Sequence, residues 1–349
     1  MNLLQGINII DFTRLLPGPK GTHLLAQMGA SVTKIEHPKR LDYARFSGQP
    51  IEGAGRLFHQ LNHNKKIESI SYDTEEGKAE IYDLIKKCDV VMEQFRPGAM
   101  ASWDLDYDSI KAISPKIVYV SLTGYQSNSS FGNEAGHDLN YLAYSGVLSQ
   151  IKDAQGKPVV PAVQFADVSS AYVLAMAVQA GIIQQLKTGE GCNINVPIIS
   201  TVTPYLAIPY ALYKDGLAVE QFNVFNGNSF VNYAVYKCAD EEWIALGAYE
   251  MKFWNNFCQL IDKVEWKTDN LLDLSVSNFD KSKIETLFLT KTRSEWIAFF
   301  KDKDVCISPV LNLEEIEAHP LHQQHQTFES FKIGEHELNG FSLPFEIIT

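Results

Sequence analysis

The strongest constraint on the fold lies in the first 125 residues, where strand-length apolar runs alternate with stretches of helical period. "INIIDFT" (7–13) is short and almost wholly apolar, and "RLLPGPKG" (14–21) is a turn rich in proline and glycine. "THLLAQMGA" (22–30) has helical spacing and reaches Gly29, and "SVTKIEHP" (31–38) is a second apolar run stopped by proline. Strand, crossover helix and strand in this order favour a parallel pairing. The pattern recurs, with "TEEGKAEIYDLIKKC" as helix, "DVVMEQF" as strand, "SIKAISP" as helix and "KIVYVSLTGY" as strand. The expected fold class is α/β, a Rossmann-like doubly wound layer.

The rest of the chain reads differently. Residues 126–136 have no periodicity and form a loop. "EAGHDLNYLAYSG" (134–146) places Gly136, His137 and Asp138 where that loop gives way to a helix. "DVSSAYVLAMAVQAGIIQQLKTGEG" (167–191) is the longest helix signal, with Asp167 at its start and Gly189 and Gly191 at its end. "CNINVPIIS" follows as a strand. From about residue 225 two short strands, a turn at Asp240-Glu241-Glu242 and several helices indicate a smaller α+β domain over 225–310. "DVCISPVLNLEEIEAHP" is read as the return to the first domain. The expected layout is a discontinuous large domain (1–200 and 311–349), a linker (201–224) and the small domain; a length of 349 residues also suggests two domains.

A net charge of −12 argues against nucleic acid or an anionic membrane as the main partner. The five cysteines form no CxxC pair and no Cys/His zinc spacing, so no metal is expected and a reducing, cytoplasmic setting is. The N-terminal apolar stretch is too short to span a bilayer and lacks a basic flank. GxGxxG, Walker A and GxSxG patterns are all missing, which speaks against a nicotinamide, a P-loop nucleotide and a serine hydrolase. The few basic residues matter more: Arg14, Arg45, Lys65 in "NHNKK" and Arg96 in "EQFRPG" fall in loops of the α/β layer. Ligands bind outside the carboxyl ends of strands in open sheets, so these residues suggest a polyphosphate grip. Three titratable residues stand out: His137, Asp167 and Glu250, the last in "LGAYEMKF". Each also has an ordinary structural reading. Asp138 and Asp167 are helix N-cap types, and Glu250 opens a helix at the surface.

Segments in this order carry a resemblance: "GINIIDFTRLLPGP", "MGASVTKIEHP", "LDYAR", "LNHNKK", "VVMEQFRPG", "IVYVSLTGY", "GHDLNYLAYSGVL", "QFADV", "KTGEG", "CADEEWIALGAYEMKF" and "DVCISPVLNLEE". Together they resemble the family III CoA-transferases, the CaiB/BaiF family, and within it most of all the α-methylacyl-CoA racemases. Gly136-His137-Asp138, Asp167 and Glu250 match the residues those racemases carry. The resemblance implies an interlocked homodimer, with CoA present only as part of the thioester. It implies that His137 and Asp167 exchange the C2 proton of a 2-methylacyl-CoA through an enolate, with Glu250 fixing the imidazole and Asp138 behind it. Ser170 is expected to share the capping of the Asp167 helix. Arg14, Arg45, Lys65 and Arg96 would hold the CoA. Two alternatives stay open. One is CoA transfer, with Asp167 forming an anhydride and then a thioester with CoA. The other is a CoA-thioester binding protein without chemistry, because Ser169, Ser170 and Ala171 follow Asp167 and "FNGNSFVNY" (225–233) departs from the family pattern.

Overall fold

Two units divide the chain in a computed structural model that describes residues 2–153, 155–226 and 229–346. The first takes in Met1–Ser149, Val159–Pro204 and Pro320–Thr349, and the second Gln150–Pro158 and Tyr205–His319.

The first unit is built on six parallel strands: β1 (Asn8–Asp11), β2 (Ser31–Glu36), β3 (Lys66–Ser69), β4 (Val90–Glu93), β5 (Val118–Thr123) and β6 (Cys192–Pro197). Their order across the sheet is 3-2-1-4-5-6, and every neighbouring pair is parallel. That order reverses between β1 and β4, which creates a crevice at their carboxyl ends. Helices α1 (Pro17–Gln27), α2 (Arg56–Asn62), α3 (Glu75–Ile85), α4 (Tyr107–Ile113), α5 (Asp138–Tyr144) and α6 (Phe165–Thr188) complete the layer. On one face Ile10, Ile35, Val91 and Tyr119 meet Ile81 and Ile85 of α3 and Ile110 of α4. On the other face α6 lies against the sheet and α1. A Cβ at Gly21 of α1 would stand 2.9 Å from Leu174 Cδ2 and 3.0 Å from the Ala171 carbonyl, so glycine sets how closely these two helices approach. By length and composition α6 could cross a bilayer, but Ala166, Ala171, Leu174, Val178 and Ile182 are buried within the unit.

The C-terminal residues return to this unit as an antiparallel hairpin, Phe328–Ile333 with His336–Phe341. It is fastened by Gln27 Nε2 donating to the Phe341 carbonyl (2.8 Å) and Gln60 Nε2 donating to the Asn339 carbonyl (3.0 Å).

The second unit is an antiparallel sheet of Tyr233–Lys237, Trp243–Gly247 and Ile307–Pro309 packed with the helices Met251–Leu260, Ser282–Phe288 and Arg293–Phe300. Three features differ from the sequence reading. Residues 150–158, expected within the large domain, group with the second unit. The expected linker 201–224 includes the helices Ala207–Lys214 and Val219–Phe222, and from Tyr205 onward it groups with the second unit. The segment 304–320 is expected to be the return, with the large domain resuming at 311. Instead Ile307–Pro309 pairs with Trp243–Gly247, and the chain rejoins the first unit at Pro320. The strand is too short to announce itself by period. Within 225–233, residues 227 and 228 lie outside the described residues.

Candidate active site

A cavity of about 420 Å3 opens at the switch point of the parallel sheet. Its wall comes from the turn after β1 (Leu15, Pro17), the turn after β4 (Gln94, Phe95, Arg96, Pro97), the end of β5 (Leu122, Thr123, Gly124) and the start of α5. His137 and Asp167 both line it.

These two side chains come from the starts of different helices. His137 is the N-cap of α5, and its backbone N–H donates to Asn140 Oδ1 (3.0 Å). The loop before it is pinned by Tyr141, whose hydroxyl donates to the Gly136 carbonyl (2.9 Å). A Cβ at Gly136 would lie 2.8 Å from the Tyr141 ring, so no larger residue fits there without displacing that ring. Asp167 is the third residue of α6, one turn deeper than an N-cap.

The N-cap of α6 is supplied from outside the helix. Gln164 holds the cap position without a side-chain bond, and Asp138 Oδ1 accepts the N–H groups of Ala166 (2.7 Å) and Asp167 (3.1 Å). A carboxylate on exposed helix N–H groups is favoured by both hydrogen bonding and the helix dipole. Asp138 therefore does not sit behind the imidazole; it splices the α5 start to the α6 start. Nor does Ser170 share the capping, because its hydroxyl donates to the Asp167 carbonyl (2.8 Å). The splice was hidden because cap and capped groups are separated by a whole connection.

Asp167 is a weakened acid. Burial pushes its carboxyl up to about 6, the nearby Asp138 carboxylate adds to the rise, and His137 partly offsets it. A second raised carboxylate, unforeseen, directly precedes the cavity-lining Gln94. Glu93 closes the apolar strand β4, is buried, accepts the Phe95 N–H (2.6 Å) and is raised to about 7, chiefly by burial. The signal was present in "VVME", since a carboxylate ending a fully apolar strand goes inside with it. Gln94, also missed, presents a buried Oε1 that has no hydrogen-bond partner among the described residues.

The four basic residues part company. Arg96 is exposed and lines the cavity. Arg14 stacks over Phe95, 5.4 Å from guanidinium carbon to ring centroid, and so backs the cavity wall. Arg45 is turned onto Glu36, whose carboxylate takes its Nε and Nη2, and lies 3.8 Å over Phe58. Lys65 is fully buried, donating to Thr22 Oγ1 (2.7 Å), the Asn62 side chain (2.9 Å) and the Pro19 carbonyl (2.9 Å) beside Asp11 (3.3 Å). A phosphate role for Lys65 is thus corrected: its charge neutralises Asp11 inside the fold. Arg45 is likewise committed to Glu36, leaving one edge of the guanidinium.

That interior network also shapes the cavity mouth. Lys34 pairs with Asp42 (2.9 Å) and donates to the Thr13 carbonyl (2.6 Å); Asp42 Oδ1 accepts the Leu15 N–H (2.9 Å). Leu15 is held at φ 61, a left-handed conformation unfavourable for a branched apolar residue. Glu250 lies in the second unit, exposed at the N-cap of Met251–Leu260, with no side-chain capping bond.

A family model described as CoA-transferase family III matches residues 4–348. The chain belongs to the family III CoA-transferases. It is similar to human succinyl-CoA:glutarate CoA-transferase, with 31% identity over 91% of this chain and 74% of that protein. It is also similar to human alpha-methylacyl-CoA racemase, with 30% identity over 93% of this chain and 82% of that protein. Two solved structures share the fold: Rv3272 from M. tuberculosis (TM-score 0.85, 23% identity, covering 100% of this chain and 93% of that one) and a CAIB/BAIF family protein from Brucella suis (TM-score 0.83, 22% identity, covering 99% and 93%). The family III chain is thus an enzyme of a group whose relatives are named both as racemases and as CoA-transferases, and an acyl-CoA substrate is consistent with that family.

Proposed function

We propose that this family III protein is a racemase that inverts the C2 stereocentre of 2-methylacyl-CoA thioesters. The observation that carries the reading is that two acid/base groups of different chemistry, His137 and Asp167, line one cavity on helix starts joined by Asp138. Nucleophilic transfer needs one carboxylate; inversion at carbon needs a base and an acid flanking that carbon. One group takes the C2 proton and the electron pair moves onto the thioester oxygen as an enolate. The other group then returns a proton to the opposite face. A carboxyl near 6 suits this, because both protonation states are populated close to neutral pH. Arg96 would meet the CoA phosphates, with Arg14 behind it.

CoA transfer is the second reading, favoured by the similarity to succinyl-CoA:glutarate CoA-transferase. There Asp167 attacks the thioester, expels CoA thiolate as an anhydride forms, and CoA returns to the aspartyl carbonyl as the acid leaves.

We further propose a homodimer. Phe165, Tyr172, Met176, Ile183 and Leu186 leave an exposed apolar stripe along α6, and no residue of the helix Ala207–Lys214 is buried within the chain. A cytoplasmic site of action is part of the same proposal, supported by five free thiols.

The test is a proton NMR time course in D2O with one epimer of a 2-methylacyl-CoA and no acceptor acid. Loss of the C2 proton signal with appearance of the other epimer is expected. Absence of exchange, with a hydroxylamine-trappable acyl-enzyme, would transfer the assignment to the second reading.

A further inference from the structure

We propose that His23, His63 and Glu329 bind a single divalent metal ion of the zinc class, clipping the C-terminal hairpin to α1 and α2. The three residues come from α1, the residue following α2, and the first strand of the hairpin. Their ligand atoms lie within 4.8 Å of one another. His63 Nε2 already stands 3.6 Å from Glu329 Oε1. Zinc–ligand bonds of about 2.0–2.2 Å would need the group to contract by roughly 1 Å. Glu329 can supply that movement, since its side chain remains 35% exposed while the two histidines are held in place.

The case rests on the outer partners as much as on the three ligands. His23 Nδ1 lies 2.9 Å from Asn64 Oδ1, an acceptor, so this nitrogen carries the proton. His63 Nδ1 lies 3.1 Å from the His59 carbonyl, which again requires a proton on Nδ1. Each imidazole is therefore left with an Nε2 lone pair. Metal-binding histidines are oriented in this way, by a carbonyl or carboxylate on the second nitrogen. Gln27 Nε2 donates to Glu329 Oε1 (2.8 Å), and His63 is clamped flat on Phe331 at 3.7 Å and 5°. Two imidazole nitrogens and one carboxylate suit Zn2+ or Co2+ better than Mg2+ or Ca2+.

The experiment uses the full chain, stripped with chelator and then titrated with Zn2+ or Co2+. Metal per chain is measured after gel filtration, and Tm and the visible Co2+ spectrum are recorded. The expected results are one ion per chain, a Tm rise of roughly 3 °C or more, and Co2+ bands without sulfur-to-metal charge transfer. Glu329→Gln preserves the acceptor for Gln27, and His63→Phe preserves the ring stack; both should fold with an unchanged metal-free Tm and weaken binding at least about tenfold. Failure of the wild-type chain to bind at micromolar free metal would overturn the proposal. So would equal affinity in both variants, or a thiolate spectrum, either of which would place the ion on other residues.

Discussion

The carboxyl edge of the parallel sheet and the core of the second unit hold their shapes by opposite means. At the sheet edge Asp11, Lys34, Glu36, Asp42 and Lys65 are buried together and bonded to one another and to backbone groups. In the second unit Tyr236, Phe257, Phe288, Trp296 and Phe300 interleave as rings with centroids 5.1–6.1 Å apart. Ring packing is weakly directional, so it tolerates exchange of similar volumes. A buried ionic network is directional, and removing one member strands another without its counter-charge. The difference teaches where each device is useful. The aromatic core only has to be dense. The ionic edge has to hold Leu15 in an unfavourable conformation and fix the turn that walls the cavity, a task that apolar contacts alone do not perform.

The largest expected effect falls on the site that the edge supports. Asp167→Asn should cut C2 deuterium wash-in by roughly 10²–10⁴. It should also stabilise the protein, which a purely structural aspartate would not do. The folded-state pKa is raised from 3.8 to about 6, so the fold holds the proton more tightly than the unfolded chain. The ionised carboxylate is then a penalty above pH 6, relieved as pH falls through that value, and the neutral amide removes it on the order of 1–3 kcal/mol. Urea midpoints at pH 7.5 and pH 5 decide this: the variant's advantage should be present at the first and shrink at the second.

Lys34→Met comes next. Leaving Asp42 buried without its cation should cost about 3–5 kcal/mol, read from urea unfolding followed by near-ultraviolet dichroism. A loss under about 1 kcal/mol would mean that the ionic edge is replaceable, and the contrast drawn above would collapse. Asp138→Asn should cost roughly 0.5–2 kcal/mol as a weakened cap. By removing a negative neighbour it should also lower the Asp167 pKa, moving the acidic limb of the pH–rate profile to lower pH; an unmoved limb would separate the two carboxylates electrostatically. Smallest of all is Phe257→Leu, where repacking in the aromatic core should hold the loss below about 1.5 kcal/mol by the same denaturant measurement. A larger loss would make the ring core as exacting as the ionic edge.

What the sequence discloses divides along the same line. Strand, helix and strand order in the first 125 residues is written locally, in the change of period, and the sheet follows from it through the handedness of the crossovers. His137 and Asp167 were legible as residue types at helix starts, and the structure places them on one cavity. The fate of the charges was not legible. Lys65 reads as a surface lysine in "NHNKK" until Asp11 arrives beside it from a strand far earlier in the chain. Arg45 and Glu36 are similarly unremarkable apart. Glu93 and Asp138 were misjudged or overlooked because burial of a carboxylate is decided by partners distant in sequence, and no window along the chain contains them. The strand Ile307–Pro309 escaped for a different reason, being too short to show a period.

The Asp138 bridge has a mechanical consequence. One carboxylate oxygen grips the two N–H groups at the head of α6 while its own backbone opens α5 directly after His137. The two helix heads are geared: displacement of the loop bearing the imidazole drags the end of the 24-residue rod that bears Asp167. Thermal motion that would vary the spacing between the two side chains is thereby converted into joint drift of the pair. The bridge thus couples the positions of the His137 and Asp167 side chains through the two helix heads.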